Sequence, residues 1–303
     1  MWSWRYTFAL VVTIIGLALL VFFSFHSTYF NFSFNIDSKL ANEFGGFIGG
    51  LIGSLFSLAG ILLLFETLNS QKFAFQKQLF ENKYFELINY HRENVQEMKH
   101  KLPNKKDEYE YGRRVFIVIR EQFGELYEKV NLHDMTQELS EDEKIDVTYQ
   151  ILFYGVGDNS LPILRQRFEK YVNNKKIVIN HIIDEISKIK DVNNINKRWG
   201  GHQSRLGHYF RHLFQTVKYV DNTPFLSAIE KYEYIKILRA QLSTYEIAII
   251  FFNSLSSLGE KWELKADKTK YISEYKFIKN LPPAFTFNIN PKKYYKFKFE
   301  YEE

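Results

Sequence analysis

Two stretches of the chain, residues 6–25 and 44–65, contain no charged side chain. A helix of about twenty residues rises about 30 Å, the thickness of a bilayer's hydrocarbon core. The pattern therefore predicts two transmembrane spans, forming an N-terminal hairpin within residues 1–68. Trp2, Trp4 and Tyr6 sit at one edge of the first span and Tyr29 just past the other, as interfacial aromatics do. A cleaved signal peptide competes for that span, but Phe25-His26-Ser27-Thr28-Tyr29 offers no small-x-small cleavage site. The second span carries small residues at spacing four: Gly46 and Gly50, then Gly49, Gly53 and Ser57. Such a ladder lets helix backbones approach closely in lipid. It can pack the span on the first one, or form a homo-oligomer seam. The connecting loop holds only Lys39, whereas Lys72, Lys77, Lys83 and Arg92 follow the second span. The positive-inside rule then gives a multi-pass protein of the cell inner membrane with both termini in the cytoplasm.

Beyond the hairpin the period changes to that of soluble helices. Residues 66–100 contain no Gly or Pro, so the second span should run on as a long helix until Pro103 and the charged residues 104–108. A helix over about 111–130 follows. Ser140 and Glu143 form a capping box that opens the next helix, and Gly155, Gly157 and Asp158-Asn159 mark a turn. Helices fit residues 161–172, 176–190, 203–220, 228–256 and 268–280, with a loop at 193–201. Alternating aromatic and charged residues over 294–302 suggest a short strand or an extended tail. The expected fold is all-α: a two-helix transmembrane hairpin, a helical cytoplasmic domain over 69–282, and an aromatic, basic tail over 283–303.

Composition narrows the chemistry. With 46% hydrophobic and 17% aromatic residues, the chain can bury a large core. It contains no Cys, which excludes disulfides, Cys-ligated zinc, iron–sulfur clusters and a Cys nucleophile. The net charge is +5: the first 68 residues sum to −1 and the rest to +6. That excess permits contact with anionic lipid or nucleic acid without demonstrating either. No phosphate loop, Gly-x-Ser-x-Gly elbow, His-Glu-x-x-His or dinucleotide-binding glycine pattern occurs, and no cofactor or metal set is assigned.

Three polar clusters remain. Three of the eight His fall within residues 202–212. On a helix, Arg205, His208 and His212 share one stripe, with His202 at its start, Tyr209 bordering it and Arg211 pointing elsewhere. An interhelical hydrogen-bond network explains this stripe. So does a metal chelated by His208 and His212, which lacks a third ligand, or an RNA-cleaving site. HEPN-type nucleases use Arg-x(4–6)-His, and six residues lie between Arg205 and His212, although Leu206 replaces the usual polar residue after the Arg. In that reading the Arg holds a phosphate and the His moves a proton. The second cluster is Arg239, Ser243 and Glu246 with Gln241, Tyr245 and Asn253, whose charges need partners if buried. Pairing Glu246 with the 202–212 helix makes Arg205, His208, His212 and Glu246 the candidate catalytic set. His202, Tyr209, Arg211, Arg239, Gln241 and Tyr245 are then candidate binding residues. The third cluster, residues 91–94 with Gly112-Arg113-Arg114, reads as helix-surface charge.

At these residues the chain resembles the AbiC-like family of phage abortive infection proteins. The likeness lies in residues 44–50, 80–87, 112–113, 207–215 and 238–246, in order, and ends near Pro282. The resemblance implies a role in defence against phage through growth arrest or death of the infected cell. It assigns no catalytic residue, so whether the chain is an enzyme stays open. Two mechanisms follow: a sensor, scaffold or effector at the membrane that answers a phage component or a partner protein, or a HEPN-like ribonuclease acting on infection.

Overall fold

The computed structural model describes residues 4–26, 38–102, 108–133, 136–189, 199–263 and 270–302. It divides into two compact units, Met1–Lys83 and Tyr84–Glu303. The first holds α1 (Trp4–His26), α2 (Ser38–Phe47), a π-helical turn over Ile48–Ile52, and most of α3 (Gly53–Gln96). Windows of α1 and of the helical run Asn42–Gln96 have mean hydropathies of 2.1 and 2.2, and only 17% and 11% of their residues are buried. Both are long and apolar enough to cross a membrane.

The two helices meet through small side chains. Ala9, Val12 and Ala59 are buried together, with Leu55 and Leu62 packed against them. A Cβ on Gly16 would come within 2.9 Å of the Phe56 ring, so α1 approaches α3 closely there. Arg5 and Glu66 face each other at 3.6 Å at the end of the hairpin where the chain enters α1 and leaves the apolar part of α3. Inside the apolar stretches, Thr13 donates to the Ala9 carbonyl at 2.8 Å and Ser54 to that of Gly50 at 2.5 Å. Their hydroxyls are thus satisfied within their own helix. The glycine ladder contributes little to this contact. A Cβ on Gly46, Gly49 or Gly50 meets nothing within 4 Å.

The second unit is mostly helical. Its elements after α3 are β1 (Lys99–Lys101), β2 (Tyr109–Tyr111), α4 (Arg114–Leu132), α5 (Glu141–Tyr154), α6 (Leu161–Arg167), α7 (Asn173–Lys188), α8 (Gln203–Asp221), α9 (Ala228–Arg239), α10 (Thr244–Leu255), α11 (Tyr271–Glu274) and α12 (Pro291–Tyr294). The core forms where α10 packs on α4 and α5. There Phe252 stacks on Phe123, with ring centroids 3.9 Å apart. The capping box opens α5 as expected: Ser140 Oγ accepts from the Glu143 N–H, and Glu143 accepts from the Ser140 N–H.

The all-α expectation holds: the described residues are mostly helical, with one short antiparallel pair, β1 and β2, in which Lys99 stands opposite Tyr111. Other expectations need correction. The helix expected over 228–256 is two helices, α9 and α10. Ser243 leaves helical geometry and forms a capping box with Glu246, a start signal inside the apolar pattern. The helix expected over 268–280 reduces to α11, after which Lys276 takes a left-handed φ of 47°. Of the two readings of residues 294–302, the short strand does not form: the rings of Tyr295, Phe297, Phe299 and Tyr301 lie each against the next along an irregular segment whose Phe299 is fully buried. The break at Pro103 and most of the loop at 193–201 lie outside the described residues.

Candidate functional site

Glu246 is the third residue of α10 and is buried, at 1% exposure. One carboxylate oxygen, Oε2, accepts from the Ser243 N–H at 2.8 Å and from its hydroxyl at 2.7 Å. The other, Oε1, accepts from the Tyr209 hydroxyl of α8 at 3.3 Å. Arg113 Nε stands 3.7 Å from Oε2, and His91 Nε2 of α3 stands 3.9 Å from Oε1. Burial pushes the Glu246 carboxyl above the usual range, against the pull of Ser243, Arg113 and Tyr209.

His91 lies on the inward stripe Tyr84, Ile88, His91, Val95 of α3, whose four–three–four spacing marks one helix face. It is 2% exposed, and neither ring nitrogen has a hydrogen-bond partner. Burial lowers its pKa to about 4, helped by His212 and Arg113. The ring is therefore neutral near pH 7, and its 3.9 Å approach to Glu246 is neither an ion pair nor a hydrogen bond. One nitrogen can still donate and the other accept.

Arg113 reaches the same place from the other side. Gly112, at φ 59°, turns the chain from β2 into α4 and delivers Arg113 at the helix start. The guanidinium donates to the Gln241 carbonyl at 2.6 Å while its side chain stays 55% exposed. His91, Arg113, Gln241 and Glu246, with Arg92, Val95 and Gln96, line a cavity of about 240 Å³. The cavity thus combines a half-exposed cation, an unspent neutral imidazole and a carboxyl that burial makes easier to protonate. That set can bind a small anionic or polar ligand and can move a proton.

The residues expected from the sequence separate into groups. Gln241 and Glu246 line this cavity and Tyr209 bonds Glu246 from the core, with His212 as an electrostatic neighbour of His91. His212 Nδ1 is buried without a partner, and its ring lies edge-on to Tyr90. His208 Nε2 contacts the Asn94 side-chain oxygen at 3.0 Å. Arg205 is elsewhere, donating to the Lys99 carbonyl at 2.7 Å, so the expected four-residue set does not assemble around Glu246. Arg205 and His212 share no partner among the described residues. His202 is buried and its Nε2 meets Gln122 Oε1 at 2.6 Å; Gln122 also reaches His100 at 3.4 Å. This trio ties α8 to α4 and β1. Arg239 is buried and donates to the carbonyls of Lys276 and Tyr275, pinning the turn after α11. Tyr245 packs edge-on to Phe285. Arg211 is exposed on the wall of a separate cavity of about 750 Å³ with Phe214, Lys218 and Trp262.

His91 and Arg113 belong to the cluster that the sequence pattern reads as helix-surface charge, and for His91 that reading is corrected, since the ring is buried on the apolar stripe of α3. Arg113 stays 55% exposed but reaches Gln241 across 128 positions of chain, which no local pattern marks.

Residues 201–286 match the family model described as "Putative phage abortive infection protein", in agreement with the resemblance read from the sequence. The matched part contains Tyr209, Gln241 and Glu246, whereas His91 and Arg113 fall outside it. No curated protein and no solved structure matches the chain.

Proposed function

We propose that this chain is an abortive infection protein anchored in the bacterial inner membrane, and that the cavity beside Glu246 is its sensing site. The observation that carries the reading is His91: a buried imidazole with both nitrogens unspent, on the wall of a cavity that also holds Glu246 and Arg113. An unsatisfied buried polar group costs about 1–3 kcal/mol, and a ligand that bonds it removes that cost. An anionic ligand would take the free donors of Arg113 and the N–H of His91. Tyr209 and Ser243 meanwhile hold Glu246 in place. Because α3 carries both His91 and the second apolar stretch, occupancy of the cavity has a direct covalent route to the hairpin.

The anchoring half of the reading is supported by the low burial of two strongly apolar helices, whose side chains water would penalise. Leu10, Ile14, Leu17 and Val21 on α1, and Leu58, Ile61, Leu64 and Phe65 on α3, are all exposed. A signal sequence accounts for α1 at most, since the second helix begins well inside the chain. The test combines topology with infection. A reporter fused after Glu303 should act as cytoplasmic and one near Asn35 as periplasmic. Cells carrying the protein should survive at low phage multiplicity and collapse at high multiplicity. Periplasmic activity of the Glu303 fusion overturns the orientation, and survival at high multiplicity overturns abortive infection.

A further inference from the structure

A second polar cluster lies away from Glu246, and sequence spacing conceals it because His133 and His181 are 48 positions apart. His133 follows the last turn of α4, and His181 and Glu185 stand four residues apart on α7. Nε2 of His133 is 2.9 Å from Nδ1 of His181 and 3.3 Å from Oε2 of Glu185. Nδ1 of His181 is 3.8 Å from Oε1 of Glu185. One ligand atom from each residue thus falls within 4.8 Å of the other two. His133 Nε2 faces a second imidazole nitrogen and a carboxylate oxygen at once, the donor types that a divalent transition metal takes.

We propose that His133, His181 and Glu185 bind one divalent transition-metal ion of the zinc class. Two imidazoles and a carboxylate suit such an ion. For ligand bonds of about 2.0–2.2 Å, two ligand atoms of one ion lie at most about 4.4 Å apart. The 2.9 Å between the imidazole nitrogens, the 3.3 Å from His133 Nε2 to Glu185 Oε2 and the 3.8 Å from His181 Nδ1 to Glu185 Oε1 each fall inside that limit. The His133 side chain is 8% exposed and fixes the site from within, while His181 and Glu185, at 53% and 55%, leave an entry path. Binding joins α7 to the end of α4, and the site is independent of the Glu246 cavity.

The full chain in detergent, stripped with a chelator and titrated with zinc, tests the assignment through metal content and melting temperature. The parent should bind one zinc per chain at this site and melt higher when it is bound. His181→Ala should weaken binding by ~100-fold or more and Glu185→Gln by ~10-fold, since even outer partners of metal ligands are worth ~10–100-fold. Both side chains are half exposed, so these variants should fold. A double variant, His208→Ala with His212→Ala, should bind zinc like the parent. A parent that binds no zinc, a His181→Ala variant with parental affinity, or loss of binding in the His208/His212 variant overturns the proposal.

Discussion

Replacing His91 with Leu tests whether the imidazole is held neutral in the core. The folded-state pKa is about 4 against 6.5 for the free group. Between those values the unfolded chain binds a proton that the folded chain refuses, so stability falls as the pH drops through that window. Above pH 6.5 the group is neutral in both states and adds no pH dependence. A shift of this size corresponds to about 3 kcal/mol once the pH is below 4, and to about 2 kcal/mol at pH 5. Leu at this inward position of α3 removes the titration and leaves no nitrogen unsatisfied. The assay is thermal melting of the full chain in detergent at pH 7.5 and 5.0. His100 and His202 are also held below their ordinary values by burial, but they titrate in both proteins and cancel in the difference. Between the two pH values the parent should lose about 4–8 °C more than His91→Leu, at about 2–4 °C per kcal/mol for a domain of this size. At pH 7.5 the variant should melt at or above the parent. Parallel losses would mean that His91 is solvated. A parent that gains on acidification relative to His91→Leu would mean a charged pair with Glu246, and either result refutes the reasoning.

Three further outcomes follow from the same structure. Ser243→Ala removes the hydroxyl that caps α10 and should cost about 1 kcal/mol in denaturant titration, leaving Glu246 less firmly held. Gly201→Ala should cost more than about 2 kcal/mol. Its φ is 83°, and a Cβ there would lie 2.5 Å from the Tyr154 carbonyl oxygen, a backbone atom that cannot step aside. Glu246→Gln should keep α10, because Gln also completes a capping box. Its melting temperature should therefore stay within a few degrees of the parent's.

Much of this architecture was legible in the sequence because it rests on periodicity and caps. The uncharged stretches gave α1 and the start of α3, and Ser140-Glu141-Asp142-Glu143 gave the start of α5. The same capping pattern at Ser243-Thr244-Tyr245-Glu246 was submerged in an apolar run that reads as one helix, although the box divides it. The pairing of β1 with β2 depends on three residues a side, too few for a period of two to show. At the candidate site, Tyr209, Gln241 and Glu246 were visible because they are polar groups on otherwise apolar helices. Arg205 looked equivalent to His212 on the stripe of α8. Only tertiary structure shows that its guanidinium turns to the Lys99 carbonyl of β1. His133, His181 and Glu185 converge through the packing of α7, which no local pattern encodes.

The central claim is that the Glu246 cavity serves defence and does not merely hold the fold together. Plaque formation on cells expressing Glu246→Gln, with the amount of protein in the membrane fraction matched to the parent, tests it most directly. The account predicts that the parent reduces plaque numbers and that the variant, equally abundant and equally stable, restores them to the level of cells without the protein. Full protection by Glu246→Gln at matched abundance would contradict it.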